Sequence, residues 1–361
     1  MVRMPALMIL FALIITPAAA ADFCVSTSAE LQNALTQAQG NAQDNQIRIV
    51  KGTYHTADNG NPDLGFIYAN SMPGGLTISG GWLPNCKPSR FRSSAYETVL
   101  DGGDADRVLA IAAGEDNVAI SIMNMTIQSG IAPLTDNIAG GLLVEGFGAG
   151  DEAGTVSIDR VVFTGNQANY ASALSVDSYD RVDITNSLFN NNTVNISTTA
   201  RIRRNTNSSQ ASYFINNTVV NNIRLGDNGT SGVLLQKSGS VGNVAANNVM
   251  WNNVSWDIQF SGNSANQHLL FNTVQNVINN AGIDVGNSNA NPLLDSDFSL
   301  QPGSPAIDAG VESSSGIPNL PPGLNWSLSD FDVAGFLRVS GVAVDMGAFE
   351  LQDSLFLDSF E

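Results

Sequence analysis

The residues most suited to chemistry lie together at Asp177-Ser178-Tyr179-Asp180-Arg181-Val182-Asp183. Three carboxylates and a guanidinium in seven residues are the parts of a Ca2+-assisted polysaccharide lyase. In such a site carboxylates hold the cation, and a basic residue removes the proton next to a sugar carboxylate. Asp177, Asp180 and Asp183 are therefore the candidate Ca2+ ligands and catalytic acids, with Arg181 as the candidate base. Asp159 and Arg160 stand at a comparable place earlier in the chain. The plainer reading of the same stretch is a solvated turn between Leu174-Val176 and Val182-Ile184, and it carries more weight. The paired aspartates with Gly-His-Gly that polygalacturonate hydrolases use are absent, and no G-x-S-x-G elbow supports a serine nucleophile.

Only two histidines, His55 and His268, occur, so histidine-rich metal centres are excluded. His55 lies near Asp58 in sequence, and both histidines read as ordinary turn or surface residues. Arg201-Ile202-Arg203-Arg204 is the single basic cluster. Strand alternation would set Arg201 and Arg203 on one outer face, where guanidinium groups suit an anionic sugar. Trp256 is a candidate stacking platform for a sugar ring, whereas Trp251 aligns with core positions.

These residues need a frame. From about residue 100 the chain repeats a short pattern: a polar residue, two or three apolar ones, then Asn, Ser or Gly. It appears at Asn124–Gly130, Arg160–Asn166, Asn186–Asn192, Asn217–Asn222, Asn248–Asn253 and Asn272–Asn276. Aligned on Ile127, Phe163, Phe189, Val220, Trp251 and Gln275, the copies are 24 to 36 residues apart. Short strands at that period, closed by asparagine corners, indicate a β-solenoid of roughly eight coils. Asparagine tolerates the left-handed conformation a corner needs, and its side chains stack and hydrogen-bond along the axis. An antiparallel sandwich would instead show hairpin turns every 8–12 residues without the long repeat.

A solenoid must cover its ends. Thr27 to Leu35 has a capping start and helical apolar spacing, and Ile47–Tyr54, Leu76–Trp82 and Thr98–Asp101 read as strands. The expected division is a signal peptide at 1–21, an N-terminal cap with the first coils at 22–100, a parallel β-helix at 101–305 and a C-terminal capping or anchor module at 306–361. The signal peptide rests on Arg3, the apolar run Leu7–Ile15 and the small residues Ala18–Ala21. That run is too short to span a bilayer, and no later segment is apolar enough. In an exported chain Cys24 and Cys86, the only cysteines, most simply form one disulfide. It would close a loop of 62 residues, worth about 4 kcal/mol in the loop-entropy model. A net charge of −18 with three lysines repels nucleic acid and anionic membranes.

The order NPLL, FSLQPGSPAIDAG and VDMGAFE over residues 291–350 resembles the C-terminal module of the choice-of-anchor Q family of bacterial surface proteins. FCVSTSAELQNAL, IRIVKGTY, LTISGGW and TVLDGG look like the opening of the same kind of protein. The resemblance spans nearly the whole chain after residue 21. It implies a right-handed parallel β-helix with the pectate-lyase-like fold, secreted by a Gram-negative bacterium or held at its outer surface. The terminal LFLDSFE is similar to an FxDGFE tail of many secreted Gram-negative proteins, with Ser359 at the usual glycine. The family is defined by architecture and brings no catalytic residues. The expected function is a non-catalytic, adhesin-like surface scaffold whose ligands are glycans, with no cofactor. The alternative is a Ca2+-dependent polysaccharide lyase or a glycoside hydrolase on the same fold.

Overall fold

The computed structural model describes residues 21–61, 65–88, 93–113, 118–133, 137–146, 154–178, 180–204, 210–226, 229–237, 242–262, 264–278 and 281–352. The apolar run at 7–15 and the tail 355–361 lie outside them. The described chain is an all-β parallel β-helix with one α-helix. Every pairing between named strands is parallel, in sheets of sixteen, eight and three strands. The longest path runs through ten strands from Ala21–Val25 to Ile283–Val285. Coiling thus starts ahead of the repeat visible in the sequence.

Inward residues stack coil upon coil because each strand pairs with the same strand of the next turn. One column runs Leu100, Ile127, Phe163, Phe189, Val219, Met250 and Val274. In it the Phe163 and Phe189 rings stack with centroids 4.8 Å apart. The column corrects the sequence alignment. Phe189 pairs with Val219, and it is the outward Asn190 that pairs with Val220 and so leads to Trp251. A one-residue slip moves a side chain to the opposite face, so Trp251 lies outside the core and is half-buried.

The asparagine doublets divide their work. The first residue of each doublet takes the left-handed corner, as at Asn191, Asn216, Asn221, Asn247 and Asn252. The second points inward into a ladder. Asn166, Asn192, Asn222 and Asn253 each pass an amide hydrogen bond to the next, at 2.9–3.0 Å. The last, Asn253, donates to Asp257 at 2.7 Å. A second ladder joins Asn217, Asn248, Asn272 and Asn287. Each rung also donates to a backbone carbonyl and accepts a backbone N–H, as Asn222 does with Phe189 and Asn192. The bends of successive coils thus satisfy one another's polar groups directly.

Helix α1 (Ser28–Gln39) closes the N-terminal end. Thr27 caps it by accepting from the Glu30 N–H, and Leu31, Ala34, Leu35 and Ala38 enter the core. Gln32 both donates to and accepts from the Ile67 backbone, covering the exposed edge of strand Phe66–Asn70. The Cys24–Cys86 disulfide ties the first strand to the turn after Leu76–Trp82. No helix among the described residues is long and apolar enough to cross a membrane.

The C-terminal segment lies along the side of the helix. Leu324 and Trp326 cover Tyr213, Ile215, Val244, Ala246 and Leu270. Val333, Ala348 and Phe349 cover Val162, Leu188 and Val220. Backbone contacts to the coils fix the path: Ala95 donates to Val333, Gly347 to Asn247, and Ala348 to the Thr218 hydroxyl. The outer face of the sixteen-stranded sheet is therefore largely taken.

Candidate functional site

The eight-stranded sheet positions the charged residues. In strand Ala200–Arg204 the alternation buries Ala200 and Ile202 and turns Arg201 and Arg203 outward. Strand Leu174–Ser178 lies alongside in register, setting Ser175 beside Arg201 and Asp177 beside Arg203. Arg203 grips Asp177 with two bonds, Nε to Oδ1 at 2.8 Å and Nη2 to Oδ2 at 3.0 Å. Arg201 adds a third at 3.2 Å and also donates to the Ser175 hydroxyl. One carboxylate is thus shared by two guanidinium groups. The Arg201 side chain is 22% exposed and that of Arg203 is 39% exposed. The structure thus joins two candidates that the sequence kept apart.

The residues of the Ca2+ constellation are distributed between two sheets and the corner that joins them. Asp177 belongs to the eight-stranded sheet and is saturated by arginines. Asp183 belongs to the sixteen-stranded sheet, where Arg181 holds it at 2.7 Å and stacks on the Tyr213 ring. Burial pushes the Asp183 carboxyl up, and the Arg181 bond opposes this. Asp180 sits at the corner between the sheets and accepts from the Thr155 hydroxyl at 3.3 Å. Among the described residues no three His, Cys, Asp or Glu side chains come together for a metal. Arg181 is committed to Asp183 and to an aromatic ring, not placed as a base. Asp159 accepts from Thr185, Asn186 and Ser329, so it fastens the C-terminal segment to the coils.

His55 faces Asp101, at 3.8 Å, with half its side chain exposed. His268 departs from the surface reading: it is buried within strand Gln267–Leu270. Trp256 is 38% exposed at the start of Trp256–Ser261. Its neighbour Asp257 is fully buried and terminates the asparagine ladder, accepting from Asn253, Gln275 and Asn276.

No family model, curated protein or solved structure matches the chain.

The polar residues that sequence reasoning missed are in the C-terminal segment. Arg338 and Glu350 form an ion pair at 2.9 Å with each side chain 1% exposed. Arg338 also donates to the carbonyls of Asp345, Gly347 and Phe349 and to Asn186. Glu350 accepts from the Asp345 and Ser340 backbones, Asp345 from Asp308 and Leu351, and Asp332 from Phe336 and Glu350. The SPAIDAG and DMGAFE stretches thus meet in one buried polar knot. Charged residues inside an otherwise small and apolar motif were the signal for it.

Burial pushes the Asp257 carboxyl up to about 6 and that of Glu350 to about 7, against the pull of their hydrogen-bond partners and, for Glu350, of Arg338. Burial raises Asp332 and Asp345 too. A carboxyl with a folded-state pKa above its unfolded value favours the fold while protonated. That stabilisation declines as pH rises from the unfolded pKa near 4 through the folded pKa of 6 to 7. The melting temperature is accordingly expected to be several degrees higher at pH 5 than at pH 8. Calorimetry at matched ionic strength checks this, and a melting temperature flat or rising over that range contradicts it.

Proposed function

We propose that the protein is an exported, non-catalytic β-helix scaffold of the Gram-negative cell surface or its surroundings, binding acidic glycans through Arg201 and Arg203. The observation that carries this reading is the outward pair of partly exposed guanidinium groups on a strongly acidic molecule. Two of the Arg201 N–H groups meet Ser175 and Asp177, and Nη1 remains for a sugar carboxylate. Export is supported by the apolar run at Leu7–Ile15, the disulfide and the resemblance to the choice-of-anchor Q family. A scaffold role is supported by the carboxylates: the candidate acids are occupied in holding coils and sheets together.

The test is binding of purified protein to immobilised acidic and neutral glycans, with a parallel screen for turnover in the presence of Ca2+. Arg201→Ala combined with Arg203→Ala is expected to weaken binding of uronic-acid ligands at least tenfold, since a lost hydrogen bond to a charged group is worth about 1.5–3 kcal/mol. Equal binding by the double variant would remove the arginine pair from the site. Release of unsaturated products, lost in Asp180→Ala or Asp183→Ala, would replace the scaffold reading with a lyase.

A further inference from the structure

The outward placement of Trp251 creates a second feature. Its side chain packs, as do Leu294 and Phe298 of the C-terminal segment, against the cluster that holds Val162, Leu188 and Val220. Together they line a cleft of about 220 Å3 with Asn221, Asn252, Asn291 and Asp295. We propose that this cleft binds one neutral sugar ring, an inference that rests on the general glycan-binding reading but not on the arginine pair.

The polar groups around the indole are held in place by bonds to the protein that leave a second atom over. Asn252 donates to the Asn221 side-chain oxygen at 2.6 Å. Among the described residues, the Asn221 amide N–H groups and the Asn252 side-chain oxygen are left for a ligand. Both asparagines are fixed in the left-handed backbone conformation at corners of successive coils. Asp295 uses one oxygen to accept from the Asp297 and Ser299 backbones, both at 2.9 Å, which leaves the other oxygen. Asn291 accepts from Leu293 at 3.0 Å and retains its N–H groups.

Donors and acceptors fixed at the mouth of an aromatic-lined cleft match the alternating hydroxyls and apolar C–H face of a pyranose. Ordered side chains add little entropic cost on binding. The volume is below the roughly 300–1,000 Å3 of sites for larger ligands, so the cleft suits one ring rather than a chain. Asp295 and the net charge of −18 select against an acidic sugar here.

Saturation-transfer NMR on the full-length protein tests this, with the methyl glycosides of glucose, galactose and mannose as probes and galacturonate alongside. Transfer to the ring protons of at least one neutral glycoside is expected. Asn221→Gly, which retains the corner conformation, and Asp295→Ala should each cut it at least fivefold with circular dichroism and melting temperature unchanged. Trp251→Phe keeps an aromatic side chain against the cluster of Val162, Leu188 and Val220 and should weaken transfer as well. Neutral transfer unaffected by Asn221→Gly and Asp295→Ala overturns the site. Transfer to galacturonate alone overturns the site and leaves the arginine reading standing, whereas silence from all four probes overturns both.

Discussion

Asn222→Ala is expected to destabilise the protein by about 3 kcal/mol, because it leaves buried donors and acceptors of two coils without partners at 1–3 kcal/mol for each orphaned group. The Asn192 backbone N–H and side-chain N–H both donate to Asn222, and Asn222 in turn donates to Phe189 and Asn253. Asn192 and Asn222 are fully buried, so bulk solvent does not reach these groups. Asn191→Gly should stay within about 0.5 kcal/mol of the parent, because that residue supplies a left-handed corner that glycine also adopts. Urea unfolding followed by circular dichroism measures both. A loss below 0.5 kcal/mol for Asn222→Ala, or equal losses for the two variants, would refute the division of labour within the doublets.

Arg338→Ala is expected to cost about 3–5 kcal/mol, the range for stripping one partner from a buried ion pair. Glu350, which burial already raises to about 7, would lose the guanidinium that pulls it back down and would take up a proton at 1% exposure, facing backbone donors that suit a carboxylate. The carbonyls of Asp345, Gly347 and Phe349 would lose the guanidinium that gathers them. The expected consequence is local: the C-terminal segment should detach from Asn186, Thr218 and Asn247 while the coils stay paired. Limited proteolysis should then cleave within 305–350 well before the coils, and hydrogen exchange should rise there first. Adding Glu350→Gln should recover part of the loss at pH 8, where keeping the buried carboxyl protonated costs most, and little at pH 5. Wild-type protease resistance in Arg338→Ala would show that the apolar contacts of Leu324, Trp326 and Phe349 hold the segment alone.

Local signals made part of this architecture legible. The helix start at Thr27, the strands Leu76–Trp82 and Thr98–Asp101 and the asparagine corners each depend on a few adjacent residues. The outward direction of Arg201 and Arg203 follows from strand alternation alone. The single cysteine pair needed no geometry to assign. Register was different. Ladder steps between coils vary from 15 to 31 residues because loops at the corners absorb the difference. Val219 and Val220 are adjacent and chemically identical, so only the rung from Asn192 to Asn222 decides which of them faces the core.

The sequence by itself therefore determined the parallel β-helix, its asparagine corners, its disulfide and its acidic surface, since all of these are set by residue type and short-range spacing. Only the tertiary structure decided which charges meet. It joined Asp177 to arginines 24 and 26 residues away and separated it from Asp183 six positions along. It also laid the C-terminal segment along the coils rather than over their end, building the Trp251 cleft and the Arg338–Glu350 pair. The reason is physical: contact between coils depends on which residues the stack brings level, and that level is fixed by packing and hydrogen bonds across turns, not by distance along the chain.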